Sequence, residues 1–194
     1  MRTTIGALFA MCALSSLSVA AAPETFVIDM PHSSSNFEAG HLGINWVRGR
    51  FNKTAGKITL DRAAQKGSIE AQIDVASVDT GYARRDELLR TENYFNAAQY
   101  PTITFRSSNL RFNGDALAGT EGELTMRGVT RPMTLDITSF KCITHPVNKR
   151  EVCGALATGR IQRSEFGMTK VSNSISEEIR IYLNIEAIKS EAGG

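Results

Sequence analysis

Apolar and polar residues alternate with a period of two along most of this chain, and this pattern limits what the chain can fold into. From Ile179 to Ala187 every second residue is apolar, and the residues between them are polar or charged. The same alternation recurs in residues 68–75 and 133–138. Successive side chains of a β-strand point to opposite faces, so the pattern predicts strands with one apolar and one solvated face.

Strands of this kind account for most of the chain, and one segment has the composition of a helix. The predicted helix covers residues 82–90, YARRDELLR, and is followed by a short turn at residues 91–93. Glycine and asparagine residues separate many of the predicted strands. The strands are predicted at residues 25–30, 34–38, 45–51, 55–61, 68–75, 102–112, 116–117 continuing at 121–126, 130–141, 154–162 and 178–188.

The charged outward face indicates a sandwich or closed barrel with an apolar interior, not a barrel that faces lipid. Several residues on the apolar face are small, among them Ala71, Ala155, Ala157 and Gly159. An eight-stranded barrel is about wide enough for large side chains to fill, so small inward residues would leave room for an elongated apolar guest. A fully packed core is the alternative to such a cavity.

The first residues have the composition of a secretory signal peptide. Arg2 is the only charged residue before Glu24, and the apolar stretch at residues 5–17 is too short to span a bilayer. Val19 and Ala21 are suitable for a cleavage site. We therefore predict that residues 1–21 are removed and that residues 22–194 form one domain, which is periplasmic or secreted.

The charge balance gives no sign of a nucleic-acid partner. One of the 22 Lys and Arg residues, Arg2, lies in the predicted signal peptide, which leaves a formal net charge of +1 against 20 Asp and Glu residues. The chain contains no run of basic residues. A nucleic-acid surface would require a basic patch, so we predict that the protein does not bind nucleic acid.

Two cysteines, Cys142 and Cys153, follow the predicted cleavage site, whereas Cys12 lies within the predicted signal peptide. In an oxidising compartment an even number of cysteines is first interpreted as a disulfide. His145 completes a Cys-x-x-His pattern, so a metal site is the alternative, but structural zinc usually takes four protein ligands. The pattern favours a disulfide, which would stabilise the fold by about 3 kcal/mol in the chain-entropy model.

Motifs for catalysis are missing from the sequence. It contains no His-x-x-x-His, no Gly-x-Ser-x-Gly and no glycine-rich phosphate loop, so we predict no enzymatic activity, no metal and no catalytic cofactor. His32 and His41 could reach one barrel mouth and bind a metal or an acidic head group there, but hydrogen bonding in loops is the more common role for such histidines. On the helix, Asp86 and Arg90 are four residues apart, which favours a surface ion pair over a head-group site.

Four stretches of the sequence resemble, in their order and spacing, the YceI-like family of periplasmic proteins. The resemblance covers residues 26–188, including the final segment EEIRIYLNIEAI. The four stretches are HSSSNFEAGHLGINWVRGRF at residues 32–51, DTGYARRDELLRTENYFNAAQYPTITFRSS at 79–108, ELTMRGVTRPMTLDI at 123–137 and RSEFGM at 163–168.

The resemblance implies an all-β fold, an extended lipocalin-like eight-stranded antiparallel β-barrel with a short inserted α-helix. It further implies that the lumen binds a long polyisoprenoid lipid or isoprenoid quinone and that the protein forms a homodimer. A carrier of such a lipid would also make transient contact with a membrane or membrane protein. It also places the Cys142–Cys153 disulfide across the base of a hairpin, between strands that end at Lys141 and begin at Gly154.

On this basis we expect two groups of ligand-binding residues. The head group would be bound at the mouth by His41, Arg85 or Arg90. The residues expected in the lumen are Trp46, Ile58, Ile73, Val75, Phe105, Met126, Leu135, Phe166, Met168, Ile181 and Leu183.

The predicted function is therefore carriage or storage of an isoprenoid lipid in the periplasm, or a role in a stress response. Two alternatives stay open from the sequence. One is a packed barrel that acts through its surface on a partner protein, and the other is an isoprenoid-modifying enzyme.

Overall fold

The computed structural model describes residues 22–114, 116–170 and 174–191, and the predicted signal peptide lies outside these residues. The described residues form eleven β-strands, one α-helix and three short 3-10 helices. The strands are β1 (Glu24–Ile28), β2 (Ser34–His41), β3 (Asn45–Phe51), β4 (Thr54–Asp61), β5 (Lys66–Asp74), β6 (Val78–Asp79), β7 (Thr102–Asn113), β8 (Ala116–Met126), β9 (Val129–Thr144), β10 (Glu151–Gln162) and β11 (Ile175–Lys189). The helix α1 spans Ala83–Arg90, and the 3-10 helices span Met30–His32, Val75–Ser77 and Arg163–Phe166.

Eight of these strands close into an antiparallel barrel. The order around the ring is β1-β4-β5-β7-β8-β9-β10-β11, and β1 pairs with β11 to complete it. In the closing pair, Phe26 lies opposite Lys189 and Ile28 lies opposite Ala187. The predicted eight-stranded antiparallel barrel with one short helix is therefore confirmed.

The long strand β11 has two different neighbours along one edge. Its C-terminal end pairs with β1, whereas its residues from Ile175 to Asn184 pair with β2. The chain passes from β1 to β2 through the 3-10 helix at Met30–His32. Strands β2, β3 and β6 therefore branch from the ring and form the wall at one end of the barrel.

The helix α1 is fixed to this branch by a buried carboxylate. Asp86 accepts hydrogen bonds from the backbone nitrogen of Thr80 at 2.8 Å and from its hydroxyl at 2.6 Å. Arg90 donates to the backbone oxygens of Ala76 and Val78, both at 3.0 Å. The predicted surface ion pair between Asp86 and Arg90 is therefore wrong, because both side chains form hydrogen bonds with the loop that precedes the helix.

Residues 91–100 pack over the same end of the barrel. The ring of Phe95 lies 5.3 Å from that of Phe51 and 6.1 Å from that of Phe37, measured between centroids. Arg127 holds the segment from outside by donating to the backbone oxygens of Glu92, at 2.7 Å, and of Tyr94. The segment is thus attached both to the core and to the turn between β8 and β9.

The predicted disulfide is present and joins β9 to β10. Cys142 lies directly opposite Cys153 in the ladder, with a Cα–Cα distance of 4.0 Å. Both strands extend three residues beyond the predicted ends, to Thr144 and from Glu151, because Ile143 and Val152 continue the pairing. The bond therefore lies within the ladder and not at the base of the loop.

Among the described residues, no helix has both the length and the apolar character needed to cross a bilayer.

Candidate ligand cavity

The interior of the barrel is hollow. Ile179, Ile181, Leu183 and Ile185 of β11 face inward, yet each stays partly accessible instead of fully buried. Protein interiors are normally close-packed, so inward side chains that stay accessible mark a space that the chain does not fill. This space is a cavity of about 830 Å³, lined mainly by apolar side chains from all eight ring strands.

Most of the residues predicted for the lumen lie in the wall of this cavity. They come from β4, β5, β7, β8, β9 and β11, and from the segment after β10. The predicted lumen residues that line the cavity are Ile58, Ile73, Phe105, Met126, Leu135, Met168, Ile181 and Leu183.

The structure places Trp46, Val75 and Phe166 elsewhere, so their assignment to the lumen needs correction. Trp46 lies on the outer face of β3, because Val47 and Phe51 take the inward positions of that strand. Val75 follows the last residue of β5 and Phe166 belongs to a 3-10 helix, so strand alternation no longer sets their direction. Both are 1% exposed and pack into the core.

One end of the cavity is closed by a second apolar cluster, which we call the floor. Its buried members are Phe26, Leu60, Leu110, Leu117, Cys153 and Ala187. Arg62 covers the floor, with its guanidinium carbon 5.8 Å from the centre of the Phe26 ring. It also pairs with Glu151 at 2.7 Å and with Glu24 at 3.5 Å. Since Cys153 lines the cavity, the disulfide is part of this closed end.

The other end of the cavity opens to solvent between the β2–β3 hairpin and α1. Only four of the lining residues in the described part of the chain are exposed, namely Asn45, Tyr82, Arg84 and Leu88. Asn45 begins β3, and the other three lie in α1 or directly before it. An apolar cavity meets water where its lining is exposed, so these residues mark its mouth.

Two of the three residues predicted for the mouth line the cavity. His41 lies there, and so does Arg85, whose guanidinium donates to the hydroxyl of Thr80 at 2.8 Å and to its backbone oxygen at 2.9 Å. Arg90 does not line the cavity, because it is turned toward backbone oxygens of the preceding loop. Arg84 does line it, and sequence reasoning missed it because a charged helix position usually indicates only a solvated face.

Polar side chains in the cavity wall are bonded to one another. The hydroxyls of Ser35 and Thr54 lie 3.0 Å apart, and that of Thr120 donates to Ser107 at 2.7 Å. Buried polar groups that already have partners offer little to a polar ligand. The wall is therefore suited to an apolar molecule.

Among the residues that the structure describes, two groups have the geometry of metal ligands. In the first, Cys142 and Cys153 are joined in the disulfide, so their thiolates are not available. The second contains Asp29, His32 and Glu186, and in it Nδ1 of His32 lies 2.7 Å from a carboxylate oxygen of Asp29.

The pair of His32 and Asp29 lies apart from the cavity. The hydrogen bond to Asp29 raises the pKa of His32 above its ordinary value of 6.5, with Coulombic contributions from Asp29 and Glu186. His32 lies in the turn between β1 and β2 and does not line the cavity, so it does not share the mouth with His41.

A closed antiparallel barrel around an apolar cavity with one mouth defines a lipocalin-like binding protein. Within that class the chain belongs to the YceI-like family, whose family model, described as a YceI-like domain, matches residues 26–187. Protein YceI of Escherichia coli O157:H7 is 32% identical over 193 residues, which cover 98% of this chain and 99% of that protein. Protein YceI of Salmonella agona is 30% identical, with the same shares covered.

Solved structures show the same fold. A YceI protein of Campylobacter jejuni is 28% identical with a TM-score of 0.68, and the match covers 78% of this chain and 90% of that one. BcnA of Burkholderia cenocepacia is 24% identical with a TM-score of 0.68, covering 82% and 98%. A polyisoprenoid binding domain of Saccharophagus degradans, implicated in plant cell wall breakdown, is 17% identical with a TM-score of 0.64, covering 85% and 98%.

Proposed function

We propose that this protein is a periplasmic lipid-binding protein that holds a long polyisoprenoid or isoprenoid-quinone chain in its cavity, for carriage, storage or a stress response. The observation that carries the proposal is the hollow apolar interior of about 830 Å³. Its size is in the range of ligand sites in proteins, and its lining is mainly aliphatic and aromatic. The proposal assigns binding and no catalytic step.

The shape of the cavity favours a long chain over a compact molecule. Ile175 and Ala187 lie near opposite ends of β11, and both line the cavity. Strands rise about 3.3 Å per residue, so the lining follows this strand for about 40 Å. Burial of hydrocarbon stabilises a complex by about 0.8 kcal/mol per methylene, so a chain of several isoprene units needs no polar contact to be held.

The mouth offers polar groups for a head group. His41, Arg84 and Arg85 line the cavity where it opens, whereas the floor is apolar inside and covered by ion pairs outside. We therefore place the hydrocarbon chain toward the floor and the head group at the mouth. Arg85 already donates to Thr80, which leaves His41 and Arg84 as the better candidates.

Other observations support the ligand class and the compartment. A domain of the same fold from Saccharophagus degradans is described as a polyisoprenoid binding domain. Disulfides persist in oxidising compartments, so the Cys142–Cys153 bond supports export, as does the predicted signal peptide. The homodimer expected from the resemblance stays a prediction.

Mass spectrometry of the protein purified from a periplasmic extract tests the proposal. Native spectra, followed by spectra after extraction with organic solvent, should reveal a stoichiometric polyprenyl or quinone species. A protein purified without cargo should take up added polyprenol or ubiquinone. A mass without ligand, together with no uptake, would contradict the proposal and favour a barrel that acts through its surface on a partner protein.

A further inference from the structure

The tip of the β2–β3 hairpin exposes two large apolar side chains beside the cavity mouth. Leu42 is 60% exposed and Ile44 is 84% exposed. The residues at the base of this tip, His41 and Asn45, both line the cavity. The tip therefore stands at the opening through which any ligand passes.

The backbone conformation of the tip does not favour leucine at position 42. Leu42 and Gly43 have φ values of 56° and 71°, and the nitrogen of Ile44 donates to the oxygen of His41 at 3.1 Å. Two successive positive φ angles form a type I′ turn, in which asparagine or glycine is preferred at the first position. A bulky side chain at positive φ is strained, and such strain often marks a functional position.

Other residues around the mouth have the chemistry of a membrane interface. Tyr82 and Leu88 are 56% and 49% exposed and line the opening on the side of α1, with Arg84 between them in sequence. On the outer side of the hairpin, the guanidinium of Arg180 lies 3.8 Å from the centre of the Trp46 ring. Tryptophan and tyrosine favour the boundary between hydrocarbon and water, and arginine is attracted to anionic head groups.

We propose that this mouth surface, formed by Leu42, Ile44, Trp46, Tyr82, Arg84 and Leu88, docks the barrel on the surface of an anionic phospholipid bilayer. The hairpin tip inserts among the acyl chains, and Arg84 faces the head groups. Docking places the opening of the cavity against hydrocarbon, so an apolar chain moves between bilayer and barrel without crossing water. The inference rests on the proposed lipid-binding function, because only an apolar cargo requires such a path.

Binding to vesicles of phosphatidylethanolamine and phosphatidylglycerol in equal amounts tests this proposal. Trp46 is the only tryptophan of the chain, so its fluorescence reports directly on the proposed surface. We expect the emission to shift to shorter wavelength as vesicles are added, and sedimentation to recover the protein with them. Leu42→Asn combined with Ile44→Thr should weaken the partition by about tenfold or more, since two large apolar side chains no longer enter the bilayer.

The Leu42→Asn substitution creates the Asn-Gly pair that a type I′ turn prefers, so this variant should keep its fold. The matched control carries Ile143→Thr and Val147→Asn, because these residues are 49% and 82% exposed on the β9–β10 hairpin at the floor end. The proposal is overturned if the wild-type protein does not bind these vesicles, or if the control weakens binding as much as the tip variant does.

Uptake of polyprenol from detergent solution separates this proposal from the proposed function. Uptake without vesicle binding would overturn the docking surface and leave lipid binding intact. Vesicle binding without uptake would support the surface and contradict the proposed cargo.

Discussion

The side chains of Ser35 and Thr54 share a hydrogen bond of 3.0 Å between two strands that have no backbone pairing with each other. Ser35 lies near the start of β2 and Thr54 begins β4, so the bond closes the wall where the ring gives way to the branch. Both residues line the cavity and are buried, with 4% and 2% exposure.

Thr54→Val should therefore lower the free energy of unfolding by about 1–3 kcal/mol, because it leaves the Ser35 hydroxyl buried without its partner. Ser35→Ala combined with Thr54→Val should cost less than the sum of the two single changes, since no polar group is then orphaned. Urea unfolding of the three variants measures this coupling. Additive losses would show that the hydroxyls do not depend on each other.

Ala157→Trp should fill the lumen and lower lipid occupancy, because Ala157 lines the cavity between Ile137 of β9 and Leu183 of β11. In a packed core such a change costs about 1–3 kcal/mol, but a hollow interior accepts the ring at lower cost. Mass spectrometry of retained lipid and thermal unfolding measure the two effects.

The neighbouring residue supplies the control for this variant. Leu156 points outward and is 48% exposed, so Leu156→Trp should leave occupancy unchanged. If the two variants retain equal amounts of lipid, the interior is not where the ligand binds.

Loss of the disulfide should destabilise the barrel at the floor. Cys142 and Cys153 enclose a loop with a sequence separation of 11, for which the chain-entropy model gives about 3 kcal/mol. We expect Cys142→Ala combined with Cys153→Ala to unfold at lower urea concentration, and the wild-type protein to shift in the same way when a reductant is added. The double variant itself should not respond to the reductant, and any response would point to another cause.

His32 should titrate above its ordinary range. Its hydrogen bond to Asp29 raises the pKa of the ring above 6.5, so the folded state favours the protonated form. The resulting stabilisation is complete below about pH 6.5 and is lost as the pH rises through the folded-state pKa. NMR titration of the imidazole protons measures the pKa directly.

Asp29→Asn should return the pKa of His32 toward 6.5, and Glu186→Gln should lower it less, because Glu186 acts only through its charge at longer range. If the pKa of His32 is unchanged in Asp29→Asn, the two side chains do not interact in solution.

The sequence predicted the strands well because their apolar positions follow a strict period. All ten predicted strand segments correspond to strands in the structure, and β3 has the predicted ends at Asn45 and Phe51. The sequence could not predict β6, because a strand of two residues, Val78 and Asp79, is too short to show alternation. Nor could it show that β2 and β3 lie outside the ring, since periodicity carries no information on pairing.

Alternation also explains which residues of the cavity could be predicted from the sequence and which could not. Within strands it agrees with a place in the wall for residues such as Ile58 and Leu183, whereas on β3 the inward positions belong to Val47 and Phe51 and Trp46 lies outside. At the mouth the decisive contacts are with backbone, as in the bonds from Arg90 to Ala76 and Val78. A sequence gives no direction for a long side chain that donates to backbone oxygens of a neighbouring loop.

The closed floor limits how far a chain can enter the barrel. Because Arg62 and the disulfide seal one end, a chain that enters at the mouth can only advance until it meets Phe26 and Leu60. The length of the cavity then determines how much of a chain it can enclose. Under the proposed function, chains up to the length of the cavity are enclosed entirely, whereas every additional unit of a longer chain protrudes at the mouth beside α1. Under the proposed function, the end of the bound chain that enters last is therefore the end released first.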